Sequence, residues 1–325
     1  MASNSPTLPI EHIFCLQSAG YSEQSTTYNV NCIQKILPLL LSHNNYRPVY
    51  YYGTEIAPVD NSTLFPNIIL TNEYALCIIS DGQNAILHHD EKIVAFYHSL
   101  YDKQLRKCTD FGREVASLGD QMNLYSSYVY SDGNYIDYWE VMSYQPCLMF
   151  FISRDVANYL KGNIPNQDEV VETFFCNWQS ALKSGKGLHS HFSEQGLVAF
   201  MHSGILKEIS AKHMNPLPLK MRLQIVEELL RDAERGNYIP HIIRPEKIQL
   251  PLHLEITSYE SSKITFNATG ANQESFGYLL DESSVTRAVI GFFDVMKKHN
   301  WLYSVEESVR IIKKVLKSFQ SEQDK

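Results

Sequence analysis

One order of elements occurs twice in this chain, and that recurrence restricts its fold more than any other feature. Tyr28 to Leu105 reads as a helix, a strand, two antiparallel strands, a polar loop, a short strand and a helix opened by Asp90, and Leu217 to Lys298 repeats the order with Asp281 at the second opening. The landmarks keep their spacing: Asn45-Tyr46-Arg47-Pro48 is matched by Asn237-Tyr238-Ile239-Pro240 after 192 positions, and Asp90 by Asp281 after 191. A period this long is no solenoid repeat, which needs tens of residues per unit. It implies two related lobes.

Within each copy the apolar periods change as that order requires. Asn67 to Leu70 and Tyr74 to Ile79 are short β-prone runs, and Ser80-Asp81-Gly82-Gln83-Asn84 is a turn. The helix after Asp90 carries Ile93, Val94, Tyr97, Leu100, Tyr101 and Leu105 on an apolar side. In the second copy, Leu252, Leu254 and Ile256 alternate with His253, Glu255 and Thr257 before Ser261-Ser262 turns the chain into Ile264, Phe266 and Ala268. A last helix opens on the capping box Ser304 with Glu307. The expected fold class is α/β (α+β), two α/β lobes in a pseudo-two-fold arrangement. The expected divisions are a linker over 1–27, a first lobe over 28–109, a mostly helical insertion over 110–216 containing a helix from Asn166 to Leu182 and a buried strand from Pro146 to Ile152, a second lobe over 217–320 and a frayed tail over 321–325.

Charge and composition narrow the function classes. A net charge of −8 opposes a free-standing nucleic-acid binder, whose phosphate contacts demand a basic face. The six cysteines are dispersed without a CxxC pair, which fits reduced thiols in a cytoplasmic protein. No stretch has the ~20 apolar residues of a membrane span, and the start Met1-Ala2-Ser3-Asn4-Ser5-Pro6 has no signal-peptide pattern.

Motifs with chemistry are sparse, and no catalytic signature or cofactor fingerprint occurs. His88-His89-Asp90 places neighbouring side chains on opposite sides of an extended segment, which suits a strand end and helix cap better than a metal. His189 and His191 share a face, and Glu194 follows within one turn, which makes these three the weak candidates for metal ligation. Gly185-Lys186-Gly187 lacks the remaining spacing of a phosphate loop. Tyr50 and Tyr52 share a strand face and suit a ligand cleft. Together with Ser80, Asp81, Asn84, His253, Glu255 and Asn267 they are the candidate ligand-binding residues, rimming a cleft if the lobes face each other.

Ile69-Leu70-Thr71-Asn72-Glu73-Tyr74 running on to Asp81, Gln145-Pro146-Cys147, Pro216-Leu217-Pro218-Leu219, Phe292-Phe293-Asp294 and Tyr303-Ser304-Val305-Glu306-Glu307 give the chain a family likeness. Over about residues 28–320 it resembles the C-terminal part of Gram-positive helix-turn-helix transcriptional regulators. The resemblance implies a sensor or effector module that binds a small molecule or peptide, forms a homodimer, has no membrane contact and reaches DNA only through a separate helix-turn-helix domain. In architecture the duplicated lobes are also similar to phospholipase-D-like folds, whose catalysis needs a His with a Lys two residues later and an Asp four beyond, from both lobes. None of the 12 histidines is followed by Lys at the second position. The alternatives to a regulatory module are a divergent phosphodiesterase-like hydrolase with spatially assembled His and Asp residues, and a structural interaction protein.

Overall fold

The computed structural model describes residues 8–17, 23–42, 45–53, 67–79, 82–115, 139–160, 187–207, 215–259, 263–269 and 275–323. The chain is mixed α/β and divides into two compact units, Met1–Phe111 and Gly112–Lys325.

In the first unit, β1 (Ile10–Gln17) and α1 (Glu23–Ser42) occupy much of the stretch expected to be a linker. Alternation explains the strand: Phe14 and Leu16 point into the core while their neighbours stay outside it. β1 pairs in parallel with β2 (Tyr46–Gly53), and α1 buries Ile33, Ile36 and Leu40. The helix runs through Pro38 rather than dividing there. Buried Asn29 ties the helix to the strand end, its Nδ2 donating to the Gln17 carbonyl at 3.1 Å and its Oδ1 accepting from the Gln17 N–H at 2.9 Å. A separate antiparallel meander follows, made of β3 (Asn67–Leu70), β4 (Ala75–Ile78) and β5 (Ala85–His88). Asp90 caps α2 (Glu91–Leu105), its Oδ1 accepting from the N–H of Lys92 at 2.9 Å and of Ile93 at 3.2 Å. β6 (Thr109–Asp110) closes the unit on β2.

The second unit is built on one seven-stranded sheet. Its chain order is β7 (Arg113–Val115), β8 (Trp139–Ser143), a 3-10 turn at Met149–Phe151, α3 (Arg154–Leu160), β9 (Leu188–Phe192), α4 (Glu194–Ser203), α5 (Leu219–Arg235), β10 (Tyr238–Ile242), β11 (Leu254–Tyr259), β12 (Lys263–Thr269), β13 (Ser275–Leu280), α6 (Ser283–Lys298) and α7 (Val305–Gln323). Across the sheet the strands run β10-β9-β8-β11-β12-β13-β7, parallel among the first three and antiparallel thereafter. Val141, Leu188, Phe192, Tyr238 and Ile242 project from one side of the parallel part into the main core, which also holds Phe200 of α4, Ile225 and Leu229 of α5, and Ile312 and Phe319 of α7. The opposite side meets α6.

This sheet corrects two expectations. Among the described residues of 110–216, β8 and β9 are strands where helix was expected, and both are inner strands of the sheet; Leu188-His189-Ser190-His191-Phe192 hides a strand behind polar letters. Phe150 and Phe151 are buried as expected, but Met149–Phe151 forms a 3-10 turn, its ring closed by the Phe151 N–H on the Leu148 carbonyl at 3.0 Å. The helix expected over 166–182 lies outside the described residues. The repeated order is present as α1, β2 to β5 and α2, then α5, β10 to β13 and α6, but its pairing differs: β2 and the meander belong to separate sheets, whereas β10 and the second meander share one.

The caps sharpen the same comparison. The opening of α6 is held by Glu282 and not by Asp281, since the buried Glu282 carboxylate accepts from the N–H of Ser284 at 3.1 Å and of Val285 at 2.9 Å, while Asp281 is exposed. Ser304 and Glu307 make the expected reciprocal pair. Ser193 caps α4 and also donates to the Tyr144 carbonyl at 2.9 Å, and Gly196 lets the helix backbone lie against that carbonyl, where a Cβ would overlap it. These contacts fix the end of β9 beside β8. Gly236 ends α5 at φ +77 with open space where a Cβ would stand. Gly236→Ala is therefore expected to cost only the left-handed backbone penalty, about 1 kcal/mol, read as a lower urea midpoint with unchanged slope.

Candidate functional site

Parallel pairing assembles a polar cluster on the α6 side of the sheet. The register sets Glu140 of β8 beside His189 of β9, and His191 of β9 between Met142 of β8 and His241 of β10. Because alternate strand residues share a face, Glu140, His189, His191 and His241 all project toward α6. The imidazoles form a stack. His189 Nδ1 lies 3.0 Å from His241 Nε2 with the rings inclined by 11°, the His241 and His191 centroids are 4.7 Å apart, and Phe293 of α6 lies against His191 at 5.1 Å.

A buried charge pair anchors the stack. Glu140 is 1% exposed, and its Oε1 accepts from His191 Nε2 at 2.9 Å and from Lys297 Nζ at 2.5 Å. With Nε2 bound to the carboxylate, the His191 proton is assigned there, which leaves Nδ1 as a buried acceptor with no hydrogen-bond partner. Burial pushes the His241 pKa down to about 3, reinforced by His191, His189 and Lys297 and opposed by Glu140. Burial and then Lys297 push His189 down to about 4. His191 is lowered by burial against the pull of Glu140. At neutral pH the site therefore holds three neutral imidazoles beside one offset carboxylate and ammonium pair.

The site has a floor and a mouth. His191, Glu140 and Phe293 are sealed, whereas His189 and His241 are half-buried and the Lys297 side chain is 31% exposed. The mouth offers the one imidazole N–H that the His189–His241 hydrogen bond leaves over, together with an ammonium, donors that suit an oxyanion.

The residues singled out in the sequence fall in several places. His189 and His191 meet as their alternation implies, but the carboxylate that reaches them is Glu140 of β8, while Glu194 lies in the first turn of α4. Among the described residues, no group of three or more His, Cys, Asp and Glu side chains is arranged to hold a metal ion. Tyr50 and Tyr52 share a face with centroids 5.3 Å apart; Tyr50 packs against Phe14 and Phe111, and Tyr52 is 42% exposed. Ser80 and Asp81 lie outside the described residues, and Asn84 is an exposed turn residue whose carbonyl accepts from the Ile79 N–H. His253 is exposed, but Glu255 and Asn267 meet at 3.0 Å across β11 and β12. His241, Glu140 and Lys297 were not among the candidate site residues, because each comes from a different element. The signal available was period two, since His241 alternates with Ile242 as His191 does with Phe192.

No protein-family model matches the chain, and no curated protein matches it. Among solved structures it is similar to phosphatidylserine synthase from Haemophilus influenzae at a TM-score of 0.31 and 10% identity, over 96% of this chain and 80% of that one. Overlap at that level bears on neither activity nor substrate. No helix among the described residues is long and apolar enough to cross a membrane.

Proposed function

We propose that the protein is a ligand-binding regulatory module whose second unit takes a small phosphate-type oxyanion at the mouth formed by His189, His241 and Lys297. The observation that carries this reading is the stacked imidazole pair, His189 and His241, set beside Lys297 above a sealed floor. Binding there draws on α6 through Lys297, so that ligand occupancy shifts the position of a helix. The setting in a transcriptional regulator, with a homodimer and a separate DNA-binding domain, follows the sequence resemblance.

A second reading is a phosphodiesterase-like hydrolase, favoured by two imidazoles at 3.0 Å, one to attack phosphorus and the other to protonate the leaving group. That reaction needs one imidazole charged. With pKa values near 4 and 3, roughly one molecule in a thousand or fewer carries that proton at pH 7, so the resting site is better suited to binding than to turnover.

Calorimetric titration with inorganic phosphate and with bis(p-nitrophenyl) phosphate separates the readings. Saturable binding without release of nitrophenol, weakened about tenfold (about 1.4 kcal/mol) by His189→Gln, is the expected result. Turnover abolished by His189→Gln would establish the hydrolase, and no binding of either anion would overturn both.

A further inference from the structure

Helix α2 carries two apolar stripes, and the first unit uses one of them. Val94 is buried, the Tyr97 ring lies 5.8 Å from that of His88, His98 Nε2 is 3.0 Å from the Thr71 carbonyl oxygen, and Tyr101 donates its hydroxyl to Glu11 Oε1 at 2.8 Å. These residues hold one side of the helix against the meander and β1. Ile93, Phe96 and Leu100 lie roughly a third of a turn away around the helix axis and stay 39%, 59% and 44% exposed. They are not isolated. Of the 16 large apolar side chains exposed among the described residues, eight fall between Ile68 and Leu100, so the first unit has an apolar surface rather than the scattered single residues of an ordinary exterior.

Spacing and charge say what this stripe accepts. Steps of three and then four residues, Ile93 to Phe96 to Leu100, are those of the seam along which one helix packs lengthwise on another. Lys92 precedes Phe96 by four residues and Lys103 follows it by seven, so both ammoniums border the same edge of the seam. Both lysines are exposed, and neither has an ion-pair partner among the described residues. The acids of the helix, Glu91 and Asp102, fall on its opposite side. A second copy of α2 is therefore a poor occupant: packed antiparallel it sets Lys92 of one helix against Lys103 of the other, and packed parallel it brings no acid to either. A bilayer surface fits no better, because a helix lying among lipid headgroups turns a broad apolar side to them, whereas this seam is narrow and the sheet occupies the side next to it.

We propose that Ile93, Phe96 and Leu100 form a docking seam for an amphipathic helix of a partner protein, one with apolar residues at the same spacing and glutamate or aspartate along the edge that meets Lys92 and Lys103. Phe96, the largest and most exposed of the three, is the anchor. The two lysines select the partner more than they hold it, since exposed ion pairs are weak but a like charge in the same place repels. The surface belongs to the first unit and uses none of the groups of the histidine cluster.

Two synthetic three-heptad helices test this, each with leucine along the seam, one with glutamate and one with lysine at the flanking positions, and each with a fluorophore whose anisotropy reports binding to the full chain. The acidic helix is expected to bind, and to bind less well as salt rises, with the basic helix at least about tenfold weaker. Phe96→Ala removes an exposed ring and leaves the core intact, so it should weaken the acidic helix about tenfold or more with an unchanged circular dichroism spectrum. Lys92→Glu combined with Lys103→Glu should reverse the order of the two helices. Absence of binding by the acidic helix, equal binding of the two, or an order unchanged by the double substitution would overturn the proposal. So would a wild-type dimer that Phe96→Ala dissolves in sedimentation, which gives the seam to a second copy, or sedimentation with vesicles of phosphatidylcholine and phosphatidylserine that Phe96→Ala abolishes, which gives it to a membrane.

Discussion

Lys297→Met is expected to destabilise the protein by about 3 kcal/mol at pH 8, the lower end of what removing one partner of a buried ion pair costs. The lower end applies because the lysine side chain is 31% exposed while Glu140 is 1% exposed. Methionine keeps the apolar stem but leaves the carboxylate beside a neutral imidazole, that of His191. The penalty should shrink on acidification. Lys297 is among the charges that depress all three histidines, so its loss lets His191 take a proton and become the cation that Glu140 then lacks. Urea denaturation at pH 8 and pH 5.5 checks both statements. A double substitution, Glu140→Gln with Lys297→Met, should recover much of the loss, since neither charge is then stranded. A penalty below about 1 kcal/mol at pH 8 would mean that the pair is no more than a surface ion pair, and the floor of the site would need another account.

How much of this was legible in the sequence depends on the range of each signal. Asp90 and the Ser304–Glu307 box could be read because a cap is decided within four residues. The hairpin Leu254–Tyr259 with Lys263–Thr269 could be read from alternation alone. β1 and β9 could not. Ile10–Gln17 follows a Ser- and Pro-rich start, and Leu188–Phe192 carries His and Ser at three of five positions, so composition outweighed period. Asp281 was misplaced as a cap by one residue because the alignment to Asp90 ignored Glu282, whose longer side chain reaches the same two N–H groups. The site itself was half legible. Alternation alone put His189 and His191 on one face, but their partners come from β8, β10 and α6, and only the parallel register says which carboxylate, imidazole and ammonium arrive there. Glu255 and Asn267, candidates for a cleft between lobes, meet across a single hairpin.

Acidification should unfold this protein earlier than its carboxylates alone require, and His241 should contribute to that loss. A buried imidazole held neutral binds its proton later than the unfolded chain does. Between its folded pKa and the ordinary 6.5, the unfolded state carries more protons, so stability rises with pH across that window. For His241 the window runs from about 3 to 6.5, which amounts at pH 5 to a loss on the order of 2 kcal/mol relative to pH 7. His189, with a window from about 4 to 6.5, is more open to solvent and contributes less. The groups facing His241 act in both directions: His189, His191 and Lys297 lower its pKa, and Glu140 raises it. Glu255 on the far face has the opposite sign, because its raised pKa makes the folded state hold a proton longer and so favours the native protein as pH falls toward 4.5. Comparing wild type with His241→Gln cancels that contribution. The variant is expected to lose absolute stability, since a stacked ring is removed between His189 and His191, yet its unfolding free energy should change less between pH 7 and pH 5 than that of wild type. Equal pH slopes in the two proteins would show that His241 titrates as freely when folded as when unfolded, and the neutral stack on which the oxyanion site rests would be lost with it.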